Sequence, residues 1–116
     1  MAERSVLITG GSGGLGEGVV AAFVADGWRV VAPVRPGSTA RLPDGVIRVE
    51  ADVTSAVDVG AAVAVAGAEA AAPLRAVVNL VGGYASAGLV HETPVDEFEA
   101  MLRVNLRPTY LVTSAA

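Results

Sequence analysis

The residues best suited to chemistry in this sequence lie between Thr9 and Gly16, a stretch that reads TGGSGGLG. An apolar run ending at Ile8 precedes it, and a helical pattern of apolar residues follows it. A strand, a glycine turn and a helix start in this order bring together unpaired backbone N–H groups and the positive end of a helix dipole. Glycines there let a pyrophosphate approach the backbone, because a Cβ would block it. The stretch therefore predicts a dinucleotide-binding site.

The glycine spacing within this stretch fits three patterns. Gly11, Gly13 and Gly16 match the general G-x-G-x-x-G pattern. Gly10 and Gly16 combine either with Gly14, as T-G-x-x-x-G-x-G, or with Gly13, as T-G-x-x-G-x-x-G. The strand before and the helix after supply the context that such a motif requires. The glycines alone leave the spacing and the dinucleotide open, and a purely structural glycine turn is the alternative.

Two charged residues follow later apolar runs, where a dinucleotide would extend. Arg35 follows the second run, at the position that faces the adenosine ribose in a Rossmann-type site. A carboxylate there would bind the 2′-hydroxyl of NAD, whereas an arginine accommodates the 2′-phosphate of NADP. Asp52 follows the third run and could accept a hydrogen bond from the adenine amine, or serve only as an acid at a helix start. We therefore expect NADP, with NAD possible; the alternative for Arg35 is a solvated surface residue.

Asn105 and Pro108 lie together in the last helical pattern. Pro108 has no N–H for the carbonyl of Val104, and its ring crowds that carbonyl, so the helix should kink near Asn105. A kink frees backbone carbonyls to bind water. A polar residue in a bent helix is the ordinary alternative for Asn105. Asn79 ends the fourth apolar run, where an amide can link neighbouring turns.

Several kinds of chemistry lack their residues in this chain. It has no lysine and no cysteine, and His91 is its one histidine, so thiolate chemistry, a Ser/His/Asp triad and a metal site are not indicated. Neither tyrosine begins a Tyr-x-x-x-Lys motif, because Gly88 follows Tyr84 at that spacing and Ser114 follows Tyr110. The net charge of −4 argues against a nucleic-acid partner. Without a signal-peptide pattern or a membrane-length apolar run, we expect a cytoplasmic protein.

Apolar runs and turn signals predict an alternating α/β chain. Strands are predicted at Ser5–Thr9, Trp28–Val34, Val46–Ala51 and Ala76–Val81. Helices are predicted at Leu15–Ala25 and Val57–Ala72, followed by one last helix with Thr93 as its N-cap. Pro33 indicates a strand end or an irregular position rather than a central ladder site. The order predicts the first half of a Rossmann-type doubly wound parallel sheet, with strand order 3-2-1-4.

Several of these segments together resemble the short-chain dehydrogenase/reductase family, and the resemblance spans the whole chain. The pair Asp52-Val53 is similar to the family's adenine-contacting Asp-Val. The segment Asn79-Leu80-Val81-Gly82 looks like its Asn-Asn-Ala-Gly, and Val104-Asn105-Leu106 looks like its Val-Asn-Leu. The last two favour the "classical" branch, with the Gly10, Gly14 and Gly16 spacing, over the "extended" branch.

The resemblance implies an oxidoreductase that moves hydride between NADP(H), or NAD(H), and a carbonyl/alcohol pair. It implies that Asn105 is catalytic, its carbonyl holding a water in the proton relay to the family's lysine. Together with the arguments above, it assigns cofactor binding to Gly10, Ser12, Gly14, Leu15, Gly16, Arg35, Asp52, Val53, Asn79, Val81 and Gly82. No residue is assigned to a metal.

The Ser and Tyr-x-x-x-Lys of the family do not occur beyond the asparagine in this sequence. We expect residues 1–116 to be the N-terminal portion of a single NAD(P)-binding Rossmann domain, without its catalytic half and inactive alone. A non-catalytic dinucleotide-binding or sensing module is the alternative, and an extended-type nucleotide-sugar epimerase or dehydratase is a weaker one. The expected partners are a small-molecule carbonyl or alcohol substrate of the full-length parent and further copies in a homo-oligomer, with no nucleic acid and no membrane.

Overall fold

Four parallel strands form the centre of the fold. The computed structural model describes residues 2–85 and 88–116. The strands, which pair in the order β3-β2-β1-β4, are β1 (Ser5–Thr9), β2 (Arg29–Val34), β3 (Ile47–Glu50) and β4 (Leu74–Asn79). The helices are α1 (Gly14–Ala25), α2 (Ala56–Ala66), α3 (Val95–Asn105) and α4 (Arg107–Ala115), with a 3₁₀ turn at Val90–Glu92. The predicted parallel sheet and its strand order are confirmed.

The side chains of β1 divide the core into two layers. Ile8 packs with Val20 of α1 on one face of the sheet. Leu7 packs with Val59 of α2 and Val112 of α4 on the other face. Successive strand side chains point to opposite faces. Because helices cover both faces, the central strands β1 and β2 read as nearly continuous apolar runs instead of alternating ones.

The end of α1 follows the glycine signal in the sequence. Gly27 has φ +79°, and its N–H donates to the carbonyl of Val24 at 3.0 Å. The N–H of Trp28 donates to the carbonyl of Phe23 at 3.1 Å. These two bonds form a Schellman motif, whose left-handed residue favours glycine. The chain leaves this motif directly into β2.

Pro33 lies inside β2, one residue before its end. In the register, β2 pairs with β1 from Arg29 to Val31 and with β3 from Val31 to Val34, where Pro33 is opposite Val49. Pro33 therefore lies beyond the last registered pair of the β1–β2 ladder, where a missing N–H costs no bond to β1. The predicted strand end at Val34 is confirmed, and the irregular position expected for Pro33 is the end of the β1–β2 ladder.

The carboxyl end of α2 lies earlier than the sequence predicts, at Ala66 instead of Ala72. Gly67 is the C-cap, and the guanidinium of Arg29 donates to the carbonyls of Ala66 and Val65, both at 3.1 Å. The last carbonyls of a helix lack partners within it, so this pair of bonds satisfies two of them at the end of α2. The strand that follows, β4, accordingly starts and ends two residues before its predicted bounds.

The last predicted helix is two helices, α3 and α4. Pro94, and not Thr93, is the N-cap of α3. The two helices meet at Leu106, which has φ −101° and belongs to neither. Pro108 lies in the first turn of α4, where its missing N–H is tolerated. The kink predicted near Asn105 is confirmed.

Candidate functional site

A cleft of about 740 Å³ opens where the strands end. In open α/β sheets, ligands bind in the crevice outside the carboxyl ends of the strands. The turns after all four strands contribute to its walls, together with one residue of α3. The lining residues are Gly10, Ser12, Pro33, Val34, Arg35, Pro36, Gly37, Ser38, Thr39, Ala51, Asp52, Val53, Thr54, Val81 and Val104.

The cleft brings together six of the eleven residues that the sequence assigns to a cofactor. Those in its wall are Gly10, Ser12, Arg35, Asp52, Val53 and Val81. Gly14, Leu15 and Gly16 lie in the first turn of α1, outside the lining. Asn79, Gly82 and Asn105 also lie outside it, although the sequence neighbours of the last two, Val81 and Val104, are in the wall.

Two glycines are required by the packing of the turn itself. Gly10 has φ +71°, and a Cβ there would lie 2.7 Å from the carbonyl carbon of Leu80. A Cβ on Gly16 would lie 1.9 Å from the carbonyl oxygen of Gly10. A Cβ on Gly14 would meet no described atom within 4 Å. The packing therefore explains Gly10 and Gly16, whereas it leaves room for a side chain at position 14.

The start of α1 offers backbone donors to a ligand. Its N-cap is Gly13, which has no side chain to cap the helix, and the N–H of Glu17 donates to the carbonyl of Gly13 at 2.9 Å. The N–H groups of Gly14, Leu15 and Gly16 precede that first bond and have no partner within the helix. Three donors and the positive end of a helix dipole fit a phosphate. A dinucleotide thus fits this turn.

Arg35 occupies the first position of a tight turn at the end of β2. The N–H of Ser38 donates to the carbonyl of Arg35 at 2.9 Å, with Pro36 second and Gly37, at φ +79°, third. Proline and a glycine of positive φ at these positions define a type II turn. The turn places Arg35, Ser38 and Thr39 in the same wall of the cleft. One guanidinium and two hydroxyls are groups that bind a phosphate.

Asp52 is held in place by an Asx turn. Its Oδ1 accepts hydrogen bonds from the hydroxyl of Thr54 at 2.7 Å and from the N–H of Thr54 at 2.9 Å. These bonds favour the charged form and hold the pKa of Asp52 below its ordinary value, with smaller help from the charges of Arg103 and Arg35. Asp52 is therefore an ionised acceptor at neutral pH.

The Asp52 turn is fastened to the break between α3 and α4. Nε of Arg107, the first residue of α4, donates to the carbonyl of Thr54 at 2.8 Å. Ser55 next to it is the N-cap of α2, and its side chain accepts from the N–H of Asp58 at 3.3 Å. Two helix starts thus fix the wall that contains Asp52.

Asn105 is bonded to the turn after β4. Its Nδ2 donates to the carbonyl of Gly83 at 2.9 Å, and its Oδ1 accepts from the N–H of Gly83 at 3.0 Å. A Cβ on Gly82 would lie 2.7 Å from the same Oδ1. The side chain of Asn105 therefore explains why position 82 is a glycine.

Asn79 connects β4 to α4 instead of reaching the cleft. Its Nδ2 donates to Oγ1 of Thr113 at 3.2 Å. Its Oδ1 is buried and accepts no hydrogen bond from the described residues. The sequence-based expectation that this amide links neighbouring turns is thus wrong in its partner, which is a helix residue.

Other residues that shape the site were missed by the sequence argument. Thr54 could have been found, because a hydroxyl two residues after an aspartate is typical of an Asx turn. Arg107 and Arg29 gave no local signal, because each bonds carbonyls far away along the chain. Ser38 and Thr39 read only as loop residues.

The fold and the site together define a class of protein. The sequence model of the short chain dehydrogenase family matches residues 4–116. The chain belongs to the short chain dehydrogenase family.

Its relatives include enzymes of known reaction. The 2-(R)-hydroxypropyl-CoM dehydrogenase of Xanthobacter autotrophicus is 35% identical over 120 residues, covering 94% of this chain and 48% of the relative. The 3-oxoacyl-[acyl-carrier-protein] reductase MabA of Mycobacterium tuberculosis is 36% identical over 114 residues, covering 98% of this chain and 44% of the relative. The chain thus spans about half the length of these curated relatives.

Solved structures of similar fold contain nicotinamide cofactors. ElxO with NADP bound superposes with a TM-score of 0.83 at 26% identity, over 97% of this chain and 48% of that one. The 3-ketoacyl-(acyl-carrier-protein) reductase of Brucella melitensis, complexed with NADH, gives 0.79 at 28% identity, over 97% of this chain and 48% of that one.

Proposed function

We propose that this chain is the NADP(H)-binding part of an oxidoreductase that acts on a carbonyl/alcohol pair. The observation that carries the proposal is the cleft at the ends of the strands, where the glycine turn, Arg35 and Asp52 open onto one space. The structural relatives crystallised with NADP and with NADH support a nicotinamide dinucleotide as its occupant.

The chain's own residues divide the binding of the dinucleotide between them. The free N–H groups at the start of α1, with Ser12 beside them, would bind the diphosphate. Asp52 would accept a hydrogen bond from the adenine amine, with Val53 against the ring. Arg35 would pair with the 2′-phosphate, since a planar guanidinium can donate two parallel hydrogen bonds to a phosphate.

The other end of the cleft would hold the reactive half of the cofactor. We assign Val81 and Gly82 to the ribose on that side, with Asn79 keeping the end of β4 in place. When bound, the dinucleotide supplies or accepts the hydride. Asn105, whose side chain is engaged with Gly83, would present its main-chain carbonyl to a water of the proton relay. This relay role rests on the family resemblance.

The acid that would complete the reaction is absent from these 116 residues, which contain no lysine and no Tyr-x-x-x-Lys. The residues present bind and orient, and none is suited to protonate a substrate carbonyl. We therefore propose that this chain alone turns over no substrate. The gene downstream of the Ala116 codon decides how it acts: a frame encoding Ser and Tyr-x-x-x-Lys supports the oxidoreductase, and a stop codon there supports a non-catalytic dinucleotide-binding module.

We propose a small-molecule carbonyl or alcohol substrate for the whole protein, a homo-oligomeric state and a cytoplasmic location. Among the helices of residues 2–85 and 88–116, none has the length and apolar character needed to cross a membrane.

A binding titration of the purified chain tests the cofactor assignment. We expect calorimetry to give tighter binding of NADPH than of NADH, because Arg35 bonds the 2′-phosphate. Arg35→Ala should weaken NADPH binding about tenfold, the size of a charge-assisted hydrogen bond, and leave NADH binding within about twofold. Arg41→Ala is the matched control, since Arg41 is also exposed but does not line the cleft. Tighter NADH binding that Arg35→Ala does not alter would refute NADP as the preferred cofactor.

A further inference from the structure

The two faces of β3 lie in different environments. Ile47 and Val49 pack against the apolar core, whereas Arg48 and Glu50 are exposed. Alternate residues of a strand share one face, so the two charged side chains lie together on the polar side of β3. That side meets the segment 35–46, which connects β2 to β3.

Both charged residues bind the backbone of this connecting segment. Nη1 of Arg48 donates to the carbonyl of Ala40 at 2.6 Å, and its Nη2 donates to the carbonyl of Ser38. Oε1 of Glu50 accepts from the N–H of Gly37 at 3.4 Å. The hydroxyl of Ser38 accepts from the N–H of Ala40 at 3.2 Å, so the same carbonyls belong to one compact turn.

The segment held in this way is one wall of the cleft. Arg35, Ser38 and Thr39 all line it, and Arg48 does not. The residues between the type II turn and β3 form no helix or strand of their own. Bonds from β3 to their carbonyls are therefore a main source of order for this wall.

We propose that Arg48 is a positioning residue that makes the cleft selective for a 2′-phosphorylated adenosine. It touches no ligand, and it acts by holding the backbone of Ser38 and Ala40. As a consequence, the guanidinium of Arg35 and the hydroxyls of Ser38 and Thr39 would bind the same phosphate. The proposal rests on the assignment of this cleft to NADP, and it adds a residue that lies outside the cleft and outside the glycine motif.

A guanidinium suits this task because it is a rigid fork of donors. Its two terminal nitrogens donate to two carbonyls two residues apart. Without it, the segment 35–46 would be less ordered before a phosphate binds. Its ordering on binding would then cost conformational entropy and lower the affinity. An adenosine without the 2′-phosphate makes little use of this wall, so its affinity should not depend on Arg48.

The test uses two ligands that need only the half of the site present in this chain. These are adenosine 2′,5′-bisphosphate and 5′-AMP, titrated calorimetrically into the wild-type chain and into Arg48→Ala. We expect Arg48→Ala to bind the bisphosphate about fivefold more weakly and 5′-AMP within about twofold of wild type. Arg41→Ala, an exposed arginine in the same segment, should alter neither.

Limited trypsin digestion provides a readout that needs no nucleotide. Within the segment, trypsin can cut after Arg41, whereas the Arg35–Pro36 bond resists it because proline follows. If Arg48 orders the segment, Arg48→Ala should raise the initial rate of cleavage after Arg41, measured by mass spectrometry, by at least about threefold. Should Arg48→Ala not fold by circular dichroism, Arg48→Gln, which keeps one amide donor, is judged by the same criteria.

The outcomes separate this inference from the cofactor assignment. Loss of bisphosphate affinity together with faster cleavage supports the role of Arg48. A wild-type chain that does not distinguish the two ligands overturns both the NADP assignment and this inference. Discrimination that survives in Arg48→Ala overturns this inference alone. Equal loss of both ligands, or loss of selectivity without faster cleavage, also overturns it, because Arg48 would then act through general stability or through its charge.

Discussion

The side-chain amide of Asn105 pairs with both backbone groups of Gly83. It donates to the carbonyl at 2.9 Å and accepts from the N–H at 3.0 Å, and it donates again to the carbonyl of Met101 at 3.0 Å. One amide thereby joins the end of α3 to the turn after β4. Val81 and Val104, which line the cleft, lie close in sequence to Gly83 and Asn105. The same bonds therefore connect the turn after β4 and α3 at that end of the cleft.

Replacing Asn105 by aspartate should loosen this junction. An aspartate still accepts from the N–H of Gly83, but it loses both donated bonds and places a charged oxygen against two carbonyls. We expect the free energy of unfolding to fall by about 1–2 kcal/mol, the net value of two hydrogen bonds, in urea denaturation. Glu99→Gln, an exposed change on the same helix, should be neutral within about 0.5 kcal/mol. Equal stability of the two variants would show that the pairing with Gly83 is not stabilising.

The glycines of the first turn should separate into those needed for folding and those needed for binding. Gly16→Ala places a Cβ 1.9 Å from the carbonyl oxygen of Gly10, which only a backbone shift can relieve. We expect it to cost about 3 kcal/mol or more and to abolish cooperative thermal unfolding. A melting temperature close to that of wild type would show that the turn is not as tightly packed as this distance requires.

Gly14→Ala should have the opposite effect on stability. Its Cβ meets no described atom within 4 Å, and alanine favours a helix start more than glycine does. We expect stability to rise by about 0.5 kcal/mol while NADPH binding weakens more than about tenfold, because the Cβ would occupy the path of the diphosphate. Gly18→Ala, also an open glycine of α1, is the control that should gain stability and keep its affinity. Unchanged NADPH affinity in Gly14→Ala would contradict the proposed position of the diphosphate.

Local signals in the sequence account for the fold, and also for its errors. The continuous apolar runs predict buried parallel strands, and the left-handed Gly27 places the end of α1 correctly. The predicted carboxyl end of α2 is wrong by six residues (Ala72 against Ala66), and Arg29, which bonds the last carbonyls of that helix, lies 37 residues before Ala66. A sequence window that contains only the helix cannot include that partner.

The site divides in the same way. Residues that act next to their own motif, such as Gly10 and Asp52, were predicted, and both line the cleft. The contacts that hold them could not be predicted, because they join segments distant in sequence. Arg107 reaches the carbonyl of Thr54 across 53 residues, and Asn105 reaches Gly83 across 22. Residue type and spacing were enough to predict the residues that could bind a ligand. The contacts that hold those residues in place are visible only in the tertiary structure.

The ionisation of Asp52 should depend on the hydroxyl of Thr54. The bonds from Thr54 lower the pKa of Asp52, so the folded chain releases this proton more readily than the unfolded chain. The resulting stabilisation is complete above the ordinary aspartate pKa of about 3.9 and is lost as the pH falls through the lower folded pKa. We expect carboxyl-carbon NMR titration to show a higher pKa in Thr54→Val and a nearly wild-type pKa in Thr54→Ser. An identical pKa in all three chains would exclude the hydroxyl as the cause.

An exposed apolar face on α3 and α4 should mediate the proposed homo-oligomer. Phe98 is 59% exposed and Leu102, one turn further along α3, is 43% exposed; Tyr110 of α4 is 68% exposed. Isolated exposed apolar residues are common on proteins, but several on two successive helices indicate a contact surface. We expect sedimentation velocity to show concentration-dependent self-association of the chain, and Phe98→Glu to reduce it because a charge would be buried in the contact.

An exposed apolar residue on α2 and the edge of β4 allow the contact surface to be identified. Val57 is 82% exposed on α2, so Val57→Glu adds the same charge at an exposed apolar site on a different helix and should leave association unchanged. The chain has a second surface that could pair, the edge of β4, which among the described residues is bonded only to β1. An unpaired strand edge also promotes association. If Phe98→Glu and Val57→Glu associate like wild type, the strand edge and not the helical face is the contact. A wild-type chain that stays monomeric at all concentrations would exclude both surfaces.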